Sequence, residues 1–407
     1  MKLLRGIVTL LFVLCCAALQ WAGRPASSQT LTEAPASFDN LTNGMTTQAV
    51  YDADRFTFEK PREVADGVGP ILNRASTQSC AGCHQLSNGA SLGGGLYAGH
   101  LDAAGNFVAA PGGPLVQELA IDPRIQEVGT PEENIRSYRV TLSILGAGFI
   151  EAIDDNTLFE IANTQARQTG GLINGQIIYV PVLEAPGVLR VGRFGWKNQH
   201  ASLLSASADE YLNQLGITNY LFPQENTSWG RSVAAFDTVP EIEDTAHDIE
   251  VFARFMRSTQ VPPRDELLAA KPEARAGGNL FNSIGCAICH VRSITTAPPG
   301  TLLNGGTFIV PPALGSKVIH PYSDFLLHDV GTGDGIVQNG GQSAANKLRT
   351  PPLWGLRTRD KFMHDGQSFT YGDAIWRHRG EAEQVIQKYN LLSDSQRAQL
   401  LCFLRSL

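Results

Sequence analysis

The sequence predicts a mainly α-helical protein in two domains, the first enlarged by loop-rich insertions and a few short strands. Three observations carry that expectation. One pentapeptide pattern, Cys-x-x-Cys-His, occurs twice about 200 residues apart, as Cys80-Ala-Gly-Cys83-His84 and Cys286-Ala-Ile-Cys289-His290. A segment of helical periodicity runs into the second copy, and another closes the chain. The length of 407 residues is enough for two separate cores.

Residues 1–28 read as a secretory signal peptide: Lys2 and Arg5 precede an apolar run, Gly6 to Leu19, and small residues follow from Ala22 to Ser28. That run is shorter than the roughly 20 residues a membrane-spanning helix needs, so no transmembrane segment is expected in the mature chain. Cys15 and Cys16 would leave with the peptide, and the expected location is the periplasm. Losing Lys2, Arg5 and Arg24 makes the mature chain three charges more acidic than the full-length net charge of −7. With no basic cluster, nucleic acid is excluded as a partner, and a soluble, basic electron-transfer protein is favoured.

Each pentapeptide is the attachment signature of a c-type haem. The two thiols bond the porphyrin, and the following histidine, His84 or His290, faces the iron. Two covalently bound haems are therefore expected. A zinc site pairs its Cys-x-x-Cys units at roughly 15–20 residues, and a thioredoxin-like pair needs no histidine. Four of the five mature cysteines are thus used, which leaves no disulfide framework. Cys402, among Leu400, Leu401, Phe403 and Leu404, reads as a buried apolar residue.

Residues 29–245 form the expected N-terminal domain. It opens on a loose stretch to about residue 43 and carries a glycine-rich run from Gly89 to Gly99 that reads as loop. Short apolar runs such as Ile177 to Leu183 read as strands. Residues 246–407 form the C-terminal domain. A helix is expected over Ala246–Met256, with a chain break at Val261-Pro-Pro-Arg264 marking the boundary region. A second helix, Ala274–Ile284, leads into Cys286. Ser393-x-x-Gln396 is a capping box opening a terminal helix on which Leu400, Leu404 and Leu407 share a face. A helix into the haem motif, a long excursion and a closing helix make a cytochrome c-like layout.

The ligand opposite each proximal histidine decides whether the iron is open to substrate or closed for electron transfer. For the second haem the candidates are His320, His328, Met363, His364 and His378. Thr370-x-x-Asp373 caps an expected helix, Tyr371–Arg379, that would hold His378 in its last turn. For the first haem, His100 in the glycine-rich loop is weighed against a solvated loop histidine. Glu151 is a candidate distal acid or base, weighed against a carboxylate that only bonds backbone or Arg193. Trp196 and Trp354 are either bridges between the haems or core residues.

Several runs resemble a known family. These are Arg139-Val140, Gly146-x-Gly-Phe-Ile-Glu151, Gly192-Arg-Phe-Gly-Trp196-Lys, Leu215-Gly-Ile-Thr218, Tyr322 to Asp329, Arg349-Thr-Pro-Pro-Leu-Trp354-Gly, Phe362-Met-His364-Asp-Gly366 and Asp373 to His378. Over roughly residues 67–407 the chain resembles the di-haem oxidoreductases labelled peroxidases or thiol oxidoreductases, themselves similar to bacterial di-haem cytochrome c peroxidases. The resemblance implies a peroxidase-like enzyme acting on a small oxidant such as hydrogen peroxide, with the N-terminal haem as substrate site and the C-terminal haem as electron relay. The alternatives are a di-haem electron carrier and an oxidase of a thiol or protein partner. It further implies that His378 stands where relatives carry a methionine or tyrosine ligand, giving bis-histidine coordination, and that His100 is similar to a displaceable distal ligand. Relatives bind calcium with a Thr-x-Pro segment where this chain has Arg359-Asp360-Lys361, which puts a calcium cofactor in doubt.

Overall fold

The computed structural model describes residues 30–73, 77–129 and 131–407; the expected signal peptide, 1–28, lies outside them. Three helices build the core around the first haem motif. Gln48–Glu59 starts where the Thr47 hydroxyl accepts from Val50 N, and Leu203–Leu215 starts where Ser202 accepts from Ser205 N. Asp248–Ser258 starts two residues later than expected, because the Asp244 carboxylate accepts from Asp248 N and Ile249 N. The three pack through aromatic pairs: Tyr51–Phe255 at 5.2 Å, Phe58–Phe255 at 5.0 Å and Tyr211–Phe252 at 5.1 Å between ring centres. The helix expected to open the C-terminal domain therefore belongs to the same core as the first motif. Leu31–Leu407 is one compact unit by its contacts.

The glycine-rich run is not a loop throughout. Gly94–Leu101 is the central strand of a three-stranded antiparallel sheet, between Phe107–Ala109 and Ile135–Val140. The glycines are there because neighbours sit where a side chain would stand. A Cβ on Gly94 would lie 2.3 Å from Arg139 O, and one on Gly99 would lie 2.4 Å from Val108 O. The expected strand near 177–183 shortens to Tyr179–Pro181, paired with Leu189–Val191.

In the C-terminal part, Pro272–Ile284 crosses Asp394–Arg405, whose Ser393–Gln396 capping box forms as expected. The crossing is close at Gly277, where a Cβ would lie 1.9 Å from Gln399 O, and Phe281 meets Phe403 at 5.2 Å. Phe281, Ile284, Phe403, Leu404 and Leu407 form a second buried cluster. Helix 371–379 ends early, at Trp376, and Arg377 is its cap. His378 thus lies just beyond the last turn rather than in it, tied back by its N–H to Ile375 O at 3.1 Å. Helices make up 33% of the described residues, the strands are short, and no helix among the described residues is long and apolar enough to cross a membrane.

Candidate functional site

Each Cys-x-x-Cys-His motif folds into one tight turn on the wall of a cavity of about 210 Å³. In both, the histidine N–H donates to the carbonyl of the first cysteine at 3.0 Å. This brings two thiols and an imidazole to one wall. His84 Nδ1 lies 2.8 Å from Leu142 O, and His290 Nδ1 lies 3.0 Å from Tyr322 O. A carbonyl only accepts, so Nδ1 carries the proton and Nε2 keeps its lone pair for a metal. Burial holds both rings neutral: His84 is pushed below its usual value, and His290 down to about 4 with help from His378. Burial also pushes Cys80 and Cys286 up to about 12 and Cys83 up to about 11, so these are protonated thiols rather than reactive thiolates.

The second cavity contains a matched pair. His378 Nδ1 lies 2.7 Å from Ala374 O, leaving its Nε2 as a free donor, and its ring centre is 6.4 Å from that of His290. An imidazole nitrogen lies about 1.2 Å from its ring centre and a metal–nitrogen bond is about 2.0 Å, so two rings sharing one ion need centres about 6.4 Å apart. The rivals do not fit as well. Both nitrogens of His328 are taken, by Asp324 and Glu381 at 2.8 Å each. Burial opposes its charge, but the neighbours that favour it, Asp324 foremost, together outweigh burial and hold it as an imidazolium. His320 is exposed and bonds Glu33 at 2.9 Å. His364 and Met363 line the cavity, with the His364 ring 6.2 Å from Trp196.

The first cavity differs. Among the described residues lining it, His84 is the sole histidine. His100 is not among them: it sits on the 94–101 strand, its Nδ1 3.2 Å from Glu133. The loop that would have let it swing in and out is a strand paired on both edges, which places His100 away from the proposed iron-binding wall. Glu151 is also displaced from its expected role. It is fully buried behind the wall, where Arg257 donates to both its oxygens at 2.6 and 2.9 Å. Leu203 N and Asn304 Nδ2 each donate to it at 2.9 Å. Burial alone would raise its pKa, but Arg257, the Leu203 N–H and Arg190 together outweigh burial and the carboxyl is held below its usual range. A carboxylate so occupied has no lone pair for peroxide, and its partner is Arg257 rather than Arg193.

Sequence reasoning missed three arginines. Arg349 and Arg359 line both cavities, and Arg139 lines the first. Arg349 Nη1 and Arg139 Nη2 are buried without a hydrogen-bond partner. Burial and mutual repulsion push Arg349 down to about 9, and burial pushes Arg359 down to about 10. Arg139 is ion-paired through its Nε to Asp334 at 2.7 Å, whereas the Arg349 Nε donates to a backbone carbonyl, Gly195 O, at 2.8 Å; a buried guanidinium held by backbone alone calls for an anion, and the carboxylates of a haem are of that kind. The arginines stood in the quoted motifs, but their spacing says nothing about the cavities they reach. Trp196 lines both cavities too, its indole N–H donating to Val140 O at 2.7 Å. Trp354 is buried against the first alone. The donor set, the apolar walls and the buried Arg349 and Arg359 cations all fit two haems.

The family model described as "Di-haem oxidoreductase, putative peroxidase" matches residues 130–407, beginning after the first haem motif. No curated protein matches the chain. Solved structures similar to it include a hydrazine synthase from Kuenenia stuttgartiensis, at 15% identity and TM-score 0.40, covering 99% of this chain and 100% of that one. A MauG-like protein associated with microbial copper homeostasis is similar at 15% identity and TM-score 0.44, covering 93% of each. The dihaem peroxidase BthA from Burkholderia thailandensis E264 is similar at 14% identity and TM-score 0.42, covering 93% and 94%. With more than half of its length matched by that model, the chain belongs to the di-haem oxidoreductase family and is an oxidoreductase enzyme that uses two haems.

Proposed function

We propose that the protein is an exported, periplasmic peroxidase-like enzyme carrying two covalently attached haems c, with the first as substrate site and the second as electron relay. The observation that carries this reading is the inequality of the cavities: His290 and His378 face each other in the second, whereas His84 stands alone among histidines in the first. In this reading Cys80 and Cys83, with His84, hold one haem, and Cys286 and Cys289, with His290 and His378, hold the other. Haem in the first cavity would supply an open iron that binds and reduces a small oxidant such as hydrogen peroxide. Arg349 and Arg359 neutralise carboxylates at the junction, and Trp196 offers a conjugated path between the cavities. A soluble electron-transfer protein supplies the electrons. Calcium has no role in this reading.

Stopped-flow absorption of the half-reduced holoprotein mixed with hydrogen peroxide tests it: one haem signal should change within the mixing experiment while the other responds only through electron loss. One observation favours a second reading. Met256 also lines the first cavity, and a thioether bound to that iron would close it and leave a di-haem electron carrier. No spectral response to peroxide in any oxidation state would decide for that alternative.

A further inference from the structure

A third, polar cavity of about 140 Å³ abuts the first haem cavity. Four residues line both: Tyr97, Gln199, Glu210 and Gln214. The Leu203–Leu215 helix creates this shared wall. Its Leu203, Ser207, Glu210 and Gln214, spaced by three or four residues, look into the haem cavity, while Asp209 and Asn213 turn towards the polar one. The far side of the polar cavity is built from loop residues, among them Gly113 and the exposed Gly112, so it leads outward. Among the described residues lining the first haem cavity, Glu210 is the sole carboxylate.

We propose that Glu210 is the proton-exchanging group of the first haem cavity, taking protons from the polar cavity and delivering them to the oxygen atoms of the bound oxidant. The proposal rests on the peroxidase-like reading. Reducing one hydrogen peroxide to two waters breaks the O–O bond and consumes two electrons and two protons. The electrons come from two equivalents of a one-electron donor protein; the protons come from water by way of the Glu210 carboxyl, which is reloaded after each transfer. The setting suits that work. Burial, then the neighbouring Asp209 carboxylate, push Glu210 up to about 7, against His200 and the Gln214 hydrogen bond, so both protonation states are populated near neutrality. The Glu210 side chain is exposed, and the two cavities that it lines border it on either side. The charged and titratable groups around it are Asp209, His200 paired to Asp209 at 3.1 Å, Tyr97, Arg139 and, across the polar cavity, Glu127, with Cys80, Cys83, His84, Tyr211, Arg349 and Arg359 on the other walls of the haem cavity.

The test compares wild type with Glu210→Gln, each verified to carry two haems. Proton uptake on reduction is read with an indicator dye in weakly buffered solution from pH 6 to 8. An electron added to the nearby haem raises the carboxyl's proton affinity, so wild type should take up protons with a maximum near pH 7, and Glu210→Gln should lose that uptake. Peroxide turnover should fall about 10²- to 10⁴-fold, with Glu210→Asp recovering part of it. Wild-type uptake persisting in Glu210→Gln overturns the proposal, as does turnover that the substitution leaves unchanged. Glu210-dependent uptake in a wild type that does not turn over peroxide supports the proton role and overturns the peroxidase reading. Should Glu210→Gln fail to assemble, Gln214→Leu removes the hydrogen bond that holds the anion and should move the uptake maximum to higher pH. An unmoved maximum overturns the proposal.

Discussion

Glu151→Gln separates a structural carboxylate from a catalytic one. Glu151 joins three parts of the chain: Arg257 on the 248–258 helix, the N-terminal N–H of the 203–215 helix, and Asn304. Glutamine keeps the shape but removes the charge, stranding the Arg257 guanidinium, whose side chain is 15% exposed, without its counter-ion. Breaking a buried ion pair in this way costs about 3–5 kcal/mol. For a chain of this length the entropy of unfolding is about 0.8 kcal/mol per kelvin, so a loss of about 4 kcal/mol lowers Tm by about 5 °C. The sign with pH follows from the depressed carboxyl. The stabilisation is present in full above the unfolded pKa of about 4.3 and is lost as pH falls through the lower folded value. The difference between wild type and variant should therefore shrink below about pH 4. Urea unfolding and calorimetry read the stability, and peroxide turnover at low temperature, per folded holoprotein, should stay within a few-fold of wild type. A variant of wild-type stability that has lost turnover would refute the structural role.

Three further outcomes are expected. Gly277→Ala places a Cβ against Gln399 O where the 272–284 and 394–405 helices cross, and should cost about 1–3 kcal/mol in urea unfolding. Cys80→Ser and Cys286→Ser should each leave the mature protein one covalent haem short in its intact mass, with wild type carrying two. Arg349→Met removes a buried cation with an unpartnered Nη1, so it should lower the reduction potential of at least one haem in a spectroelectrochemical titration, because an anionic carboxylate loses its nearby positive charge.

The two Cys-x-x-Cys-His motifs were legible because the pattern expected for covalent haem attachment fixes residue type and spacing within five positions. The N-cap at Thr370 and the capping box at Ser393 were legible for a similar reason, since the cap and its partner lie three residues apart. Glu151 was not, because its partner Arg257 is 106 residues away; the sequence shows a carboxylate among glycines and nothing of the guanidinium that occupies it. The run 89–99 misled because glycine serves both loops and crowded strands, and only the neighbours at 2.3–2.4 Å from a notional Cβ on Gly94 and Gly99 tell which applies. Glu210 escaped attention because its significance lies in a shared wall between two cavities, which no local pattern encodes.

The central claim is that the second haem is closed by His290 and His378 while the first keeps an open face. Electron paramagnetic resonance of the half-reduced holoprotein, wild type beside His378→Gly, tests it most directly. The account predicts one high-spin signal in the half-reduced wild type, from the first haem, and conversion of the second haem's low-spin signal to high-spin in the oxidised variant. A low-spin ferric signal in place of the high-spin one in half-reduced wild type, or a low-spin signal unchanged by His378→Gly in the oxidised protein, would contradict it.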